Sequence, residues 1–407
     1  MIFRHLSCLA ALVGLLIAAS LPSRAALVRF TASLDAAQEP GGSTSTATGS
    51  AVVLYDTATN TLDLAVTLSN FTNTITDSHI HEAAVGVNGP PVVPLGAEAV
   101  YVRSGAAITG SLENLTYAGT VNTLLAGGAY INFHSAQFPG GEIRGQLLPD
   151  PVRFTALLSG SQEVPARATD AYGAAQATYD PATNTITTLV CVYNFVNTLA
   201  DSHIHEAPAG TNGSVRVAFG GAANYERTGN TYAQVFDART YGGTPVLLLG
   251  NGAYVNVHSN IFPGGELRGQ LLASSAATRS RLVNVSARGY VGTGDSVLIA
   301  GFVVVGSEPL RVLATGRGPV LTGFGVSGAL ADPVLAVHDS AGRLLALNDN
   351  TADRLLPALV TGSGFAPSQA TEAASLLLLP PGAYTSVMSG AAASTGVGLA
   401  EAFEVTW

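Results

Sequence analysis

Apolar and polar residues alternate with a period of two along much of this chain. The stretch Arg29-Phe30-Thr31-Ala32-Ser33-Leu34 does so, as do residues 49–55 and 61–68. Such alternation puts one set of side chains on each face of a strand. Residues 56–60, rich in Asp, Thr and Asn, predict the hairpin turn between the last two. Further strands are expected at residues 78–82, 97–102, 110–115, 129–135 and 141–148. Only residues 121–125 carry as much as one turn of helical spacing. Seven or eight short strands in about 120 residues predict a β-sandwich.

The pattern then repeats. Asp77-Ser78-His79-Ile80-His81-Glu82 returns as Asp201-Ser202-His203-Ile204-His205-Glu206, 124 positions later. The stretch from Asn132 through His134, Glu142 and Arg144 to Gln146 returns at the same spacing from Asn256 through His258, Glu266 and Arg268 to Gln270. The doublets Gln38-Glu39 and Gln162-Glu163 keep the offset too. An unvarying offset means no net insertion between these landmarks, so both copies should share one fold. Pro149-Asp150-Pro151 makes a short stiff joint, because proline fixes φ and blocks strand continuation. The two copies should therefore sit side by side.

Beyond the small polar linker Ser274-Ser275-Ala276-Ala277-Thr278 the pattern changes. Strands are expected at 283–288, 296–304 and 310–315, a hairpin across 334–347, and strands at 380–385 and 399–405. The expected organisation is an all-β chain: a leader at 1–25, antiparallel β-sandwiches at 26–149 and 150–273, and a third, different β-sandwich at 279–407. The leader is read from Arg4 and His5, an apolar run from Leu6 to Ala19 too short to span a bilayer, and the small residues of Ser23-Arg24-Ala25 before a cut. Export to the outside, the cell surface or the periplasm follows. No later run is long enough for a membrane helix.

Composition narrows the function. The net charge is −9, all 18 basic residues are arginine, and no basic patch is present, which argues against nucleic acid. Cutting after Ala25 removes Arg4 and Arg24 and takes the charge from −9 to −11. It also leaves Cys191 as the one cysteine, so no intrachain disulfide can form. Cys191 reads as a core residue rather than a nucleophile. Asn348-Asp349-Asn350 and Asp353 read as loop-closing residues without the spacing of a calcium loop.

Six of the eight histidines fall in the repeated stretches. Residues two apart on a strand share a face, so His79 and His81 project together, and Tyr130, Asn132 and His134 do likewise. If these strands are neighbours, His79, His81 and His134 converge, and so do His203, His205 and His258. Three imidazoles with a fourth position free suit Cu²⁺ or Zn²⁺. Asp77 or Glu82, and Asp201 or Glu206, would orient the rings. Glu142 with Arg144, and Glu266 with Arg268, would complete a supporting network. The alternative is a hydrogen-bonded cluster with no ion.

The His-Ile-His-Glu, Asn-x-His-Ser and Phe-Pro-Gly-Gly-Glu-(Ile/Leu)-Arg-Gly-Gln stretches, taken together, resemble the CHRD family, the repeat domain named after chordin. The resemblance covers residues 27–272 and implies an extracellular β domain with a binding role and no established reaction. A fainter likeness is to copper/zinc superoxide dismutase. It would make His79, His81 and His134 copper ligands and Arg144 a substrate-guiding arginine, with His203, His205, His258 and Arg268 in the second copy. The bridging histidine, the zinc loop and the disulfide of that family have no counterpart here. Residues 279–407, with Leu-Pro-Pro-Gly-Ala-Tyr-Thr and Leu-Asn-Asp-Asn, resemble the pre-peptidase C-terminal modules of bacterial secreted proteins. The expected function is a secreted or surface binding or structural protein, its partner an extracellular protein or envelope component. The alternative is a copper-dependent redox enzyme of the dismutase type.

Overall fold

The computed structural model describes residues 26–275, 279–282 and 285–406. The expected leader at 1–25 lies outside the described residues. The chain is nearly all β, with two tandem curled antiparallel sandwiches followed by a further β domain.

In the first repeat ten strands form one sheet that curls over itself. They are β1 (Leu27–Asp35), β2 (Thr48–Asp56), β3 (Thr61–Ser69), β4 (Ile75–Glu82) and β5 (Pro91–Pro94). β6 (Val102–Ser104), β7 (Ala107–Thr116), β8 (Ala129–Ser135), β9 (Ile143–Gln146) and β10 (Leu148–Pro149) follow. Their order is β5-β4-β8-β9-β1-β2-β3-β7-β6, with β10 beside β1. The second repeat gives the same order from its equivalent strands. Alternation decides the inner face: Val28, Phe30, Ala32 and Leu34 of β1 are buried, as are Leu62, Leu64, Val66 and Leu68 of β3. Each such Leu, Val or Phe contributes roughly 1.5–3 kcal/mol on burial. The buried apolar side chains of both repeats join into one cluster, and the Ala26 amide donates to the Leu249 carbonyl across the boundary at 2.8 Å. The repeats thus lie against each other, as the short joint requires.

The structure departs from the pattern at two places. Residues 97–102 are not a strand: a 3₁₀ turn at Glu98–Val100 precedes the short β6. β5 went unseen because it begins and ends in proline. It is an edge strand whose one neighbour among the described residues is β4, and there a missing N–H costs no ladder bond.

The C-terminal unit packs a five-stranded sheet on a four-stranded one. Its strand Ala373–Leu379 was not foreseen. All seven residues are buried, so the segment shows no alternation. That strand pairs with Leu310–Arg317, and the unit's core runs on into the second repeat through Ala174, Leu189, Cys191, Tyr193 and Ala233. Among the described residues no helix is long and apolar enough to cross a membrane.

Candidate metal centre

β4 and β8 are antiparallel neighbours, with Asp77 opposite His134, His79 opposite Asn132 and His81 opposite Tyr130. Ser78 and Ile80 point inward and are buried, so Asp77, His79 and His81 stand on the outer face. The three imidazoles meet there: ring centroids are 5.3 Å apart for His79 and His81, 5.5 Å for His79 and His134, and 5.9 Å for His81 and His134. One nitrogen from each ring lies within 4.8 Å of the others, and His203, His205 and His258 repeat the arrangement.

The other nitrogen of each ring is tied down. His81 Nδ1 meets the Gly89 carbonyl at 2.9 Å and His134 Nδ1 meets the Pro139 carbonyl at 3.1 Å. His79 Nε2 faces Asp77 Oδ2 at 3.2 Å. Carbonyls and carboxylates only accept, so each tied nitrogen carries the proton and the remaining one presents a lone pair. Those remaining atoms, His79 Nδ1, His81 Nε2 and His134 Nε2, are buried and have no hydrogen-bond partner among the described residues. Burial pulls His81 and His134 below the usual imidazole range, with the neighbouring rings adding to the effect and the backbone carbonyls opposing it. His81 and His134 are therefore neutral near pH 7.

The second repeat sharpens the point. His203 Nε2 lies 3.1 Å from Asp201, and the Nδ1 atoms of His205 and His258 lie 2.9 and 3.0 Å from the carbonyls of Gly213 and Pro263. His203 Nδ1 then stands 3.3 Å from His258 Nε2. Two lone pairs at that separation repel unless a ring proton or a metal ion sits between them. The spacing matches a tetrahedral edge for metal–nitrogen bonds of about 2.0 Å. The donor set, three neutral imidazoles with their outer nitrogens held, fits Cu²⁺ or Zn²⁺.

Behind the triad lies a second layer. His81 stacks on Tyr130 at 4.9 Å with the planes 9° apart, and the Arg144 guanidinium carbon stands 3.3 Å from the same ring centroid. His205, Tyr254 and Arg268 repeat this stack. Arg144 is 1% exposed and donates to the carbonyls of Val87 and Ala84 at 2.8 and 3.1 Å. It thereby pins residues 83–90, the loop that carries the Gly89 carbonyl, onto the outer face. Arg268 does the same with Pro208. A guanidinium so enclosed cannot guide a substrate, which corrects the role the dismutase likeness implied for it.

The carboxylates divide. Asp77 and Asp201 meet His79 and His203. Glu82 instead accepts from the Tyr117 hydroxyl at 3.0 Å, and Glu206 pairs with Arg216 at 3.0 Å. Both sit at the strand end and neither touches a ring. Glu142 accepts from Ser45 and Asn73 at 2.8 and 2.9 Å, and Glu266 from Thr169 and Asn197 at 2.8 and 3.0 Å. These glutamates anchor loops and do not pair with Arg144 or Arg268.

A residue that the motif reading passed over belongs here instead. Glu39 is buried, and desolvation raises its carboxyl to about 7 against the opposing charge of Arg144. Glu163 is likewise raised to about 7 and takes a long hydrogen bond of 3.4 Å from Asn256. Any Cβ on Gly141 would run into the Glu39 carboxyl at 2.4 Å, and φ there is +133°. That is why the turn needs its second glycine. Gln38 takes the Gln146 amide on its Oε1 at 3.3 Å. The available signal was the Gln-Glu doublet, kept at the repeat offset inside loops that otherwise differ.

The CHRD domain model matches residues 30–147 and 154–271. No curated protein matches the chain. Among solved structures, one of infectious bursal disease virus (Gt strain) aligns over 95% of this chain and 75% of its own, at 8% identity and a TM-score of 0.16. Exo-inulinase from Aspergillus awamori aligns over 94% and 84%, at 9% identity and a TM-score of 0.16. Superpositions that poor carry no argument. The two domain matches together span more than half of the chain, which therefore belongs to the CHRD domain family and carries the domain twice.

Proposed function

We propose that this is an exported binding or scaffold protein whose two CHRD domains each hold a divalent transition-metal ion on three histidines. The carrying observation is that His79 Nδ1, His81 Nε2, His134 Nε2 and His205 Nε2 are buried and have no hydrogen-bond partner among the described residues, while His203 Nδ1 faces His258 Nε2 at 3.3 Å. The ion would sit on His79, His81 and His134, or on His203, His205 and His258. It would leave a coordination position toward solvent, since His79 and His203 keep 21% and 15% of their side-chain surface exposed. An extracellular protein or envelope component that offers a donor atom could bind there. The C-terminal unit would attach the chain or stabilise it, as such modules do.

Metal analysis of the purified protein, after dialysis against Cu²⁺ or Zn²⁺, tests the reading. About two ions per chain are expected, falling to about one in His79→Ala/His134→Ala or His203→Ala/His258→Ala. A chain that takes up no ion and shows no metal-dependent rise in melting temperature would leave only a hydrogen-bonded cluster.

A further inference from the structure

The two centres share their ligands and differ in charges nearby, one of them beside the turn that holds the third histidine. Ser43 and Arg167 occupy equivalent positions, 124 apart. Ser43 donates its hydroxyl to the Glu142 carbonyl at 2.9 Å. Arg167 instead lays a guanidinium against the turn that carries Pro263, the residue whose carbonyl holds His258. Its guanidinium carbon is 5.8 Å from the Phe262 ring centroid. One terminal nitrogen comes within 3.7 Å of where a Gly264 side chain would begin. The Arg167 Nε is buried and has no hydrogen-bond partner among the described residues. The carboxyl that feels this charge is Glu163, and burial keeps that group protonated up to about 7. Arg167 thus lies against the turn whose Pro263 carbonyl holds His258 and, among the described residues, makes no ion pair.

We infer that the second centre, once loaded, binds a small anion at its solvent-facing coordination position, drawn there by Arg167, and that the first centre binds such an anion more weakly. The inference rests on the metal reading above. A carboxylate or a small inorganic anion has the matching chemistry, since it brings one donor atom to the ion and a negative charge to the guanidinium. Arg167 acts through its field and touches no ligand nitrogen, so its contribution should shrink as salt rises.

Azide titration of the copper-loaded full chain tests this, followed through the visible charge-transfer band. The variants His79→Ala/His134→Ala and His203→Ala/His258→Ala isolate the second and first centres. Azide should bind the second centre roughly threefold to tenfold more tightly at low salt. Arg167→Gln should abolish the difference, and Arg167→Lys should retain most of it. Equal affinities at the two centres, or no change with Arg167→Gln while copper stays bound, would overturn the inference and leave the metal reading standing. Failure of either isolated centre to bind copper would remove the metal reading at that centre, and the inference with it.

Discussion

The outer faces of the two repeats, built from equivalent strands, have opposite fates. In the first repeat the outer positions of β2 and β3 include Thr48, Ser50, Ala65, Thr67 and Ser69, all exposed. Their counterparts are Tyr172, Ala174, Leu189, Cys191 and Tyr193, and the last four are buried under the C-terminal unit. Hydrogen bonds fasten that contact: Tyr193 donates to the Leu378 carbonyl at 2.9 Å, Thr231 to the Leu345 carbonyl at 2.6 Å, and Arg311 to Gln176 at 2.7 Å. The histidine clusters, on another part of the same sheets, keep their geometry in both repeats. Covering one part of the second repeat's outer face has left its histidine cluster unchanged, so the candidate centre is a property of a single repeat and needs no help from the third unit.

The comparison can be broken most forcefully at its buried face. Cys191→Arg should cost about 3 kcal/mol or more, because it places an unpaired charge in a closed contact. The equivalent Thr67→Arg should stay within about 0.5 kcal/mol. Urea unfolding of both variants decides, and similar losses would mean that the two faces are not so different after all.

Next in size is metal stabilisation. At an ion concentration near a hundred times Kd, binding should stabilise each repeat by about 2.7 kcal/mol. His81→Ala and His205→Ala should each abolish one repeat's share. The rise in melting temperature should also vanish as acid protonates the rings. An unequal loss between the two variants would contradict the equivalence of the centres.

Gly141→Ala and Gly265→Ala should each cost roughly 1–3 kcal/mol, since both combine positive φ with a carboxyl in the place of the new Cβ. Denaturant midpoints check this, and a harmless substitution in either repeat would show that the buried glutamate yields easily.

The smallest expected effect is a pH slope. Glu39 binds its proton up to about 7 when folded and only to about 4.5 when unfolded. The native state therefore holds more protons in that window, and this group's contribution to stability falls as pH rises through it. His81 and His134, pulled below their usual range, act with the opposite sign. Glu39→Gln should remove the falling contribution, on the order of 1 kcal/mol, and leave stability rising more steeply with pH. Glu163→Gln should match it. An unchanged pH profile in both variants would show that neither carboxyl is raised.

Alternation along single strands made much of this legible. It predicted an all-β chain, the duplicated fold, and the shared direction of His79 and His81, because side-chain direction in a strand is a local property of period two. The offset of 124 made whatever one repeat does the business of the other. Tertiary structure alone made β4 and β8 neighbours and folded residues 83–90 back so that Gly89 holds His81. It also drew Glu82 and Glu142 away to Tyr117 and to Ser45. It hid Arg144 beneath a loop and brought Glu39 under the turn at Gly141. The run Ala373–Leu379 lost its alternation for the same reason, being covered on both sides. Which strand lies beside which, and what covers a face, depends on contacts between residues far apart in the chain, and no local period records them.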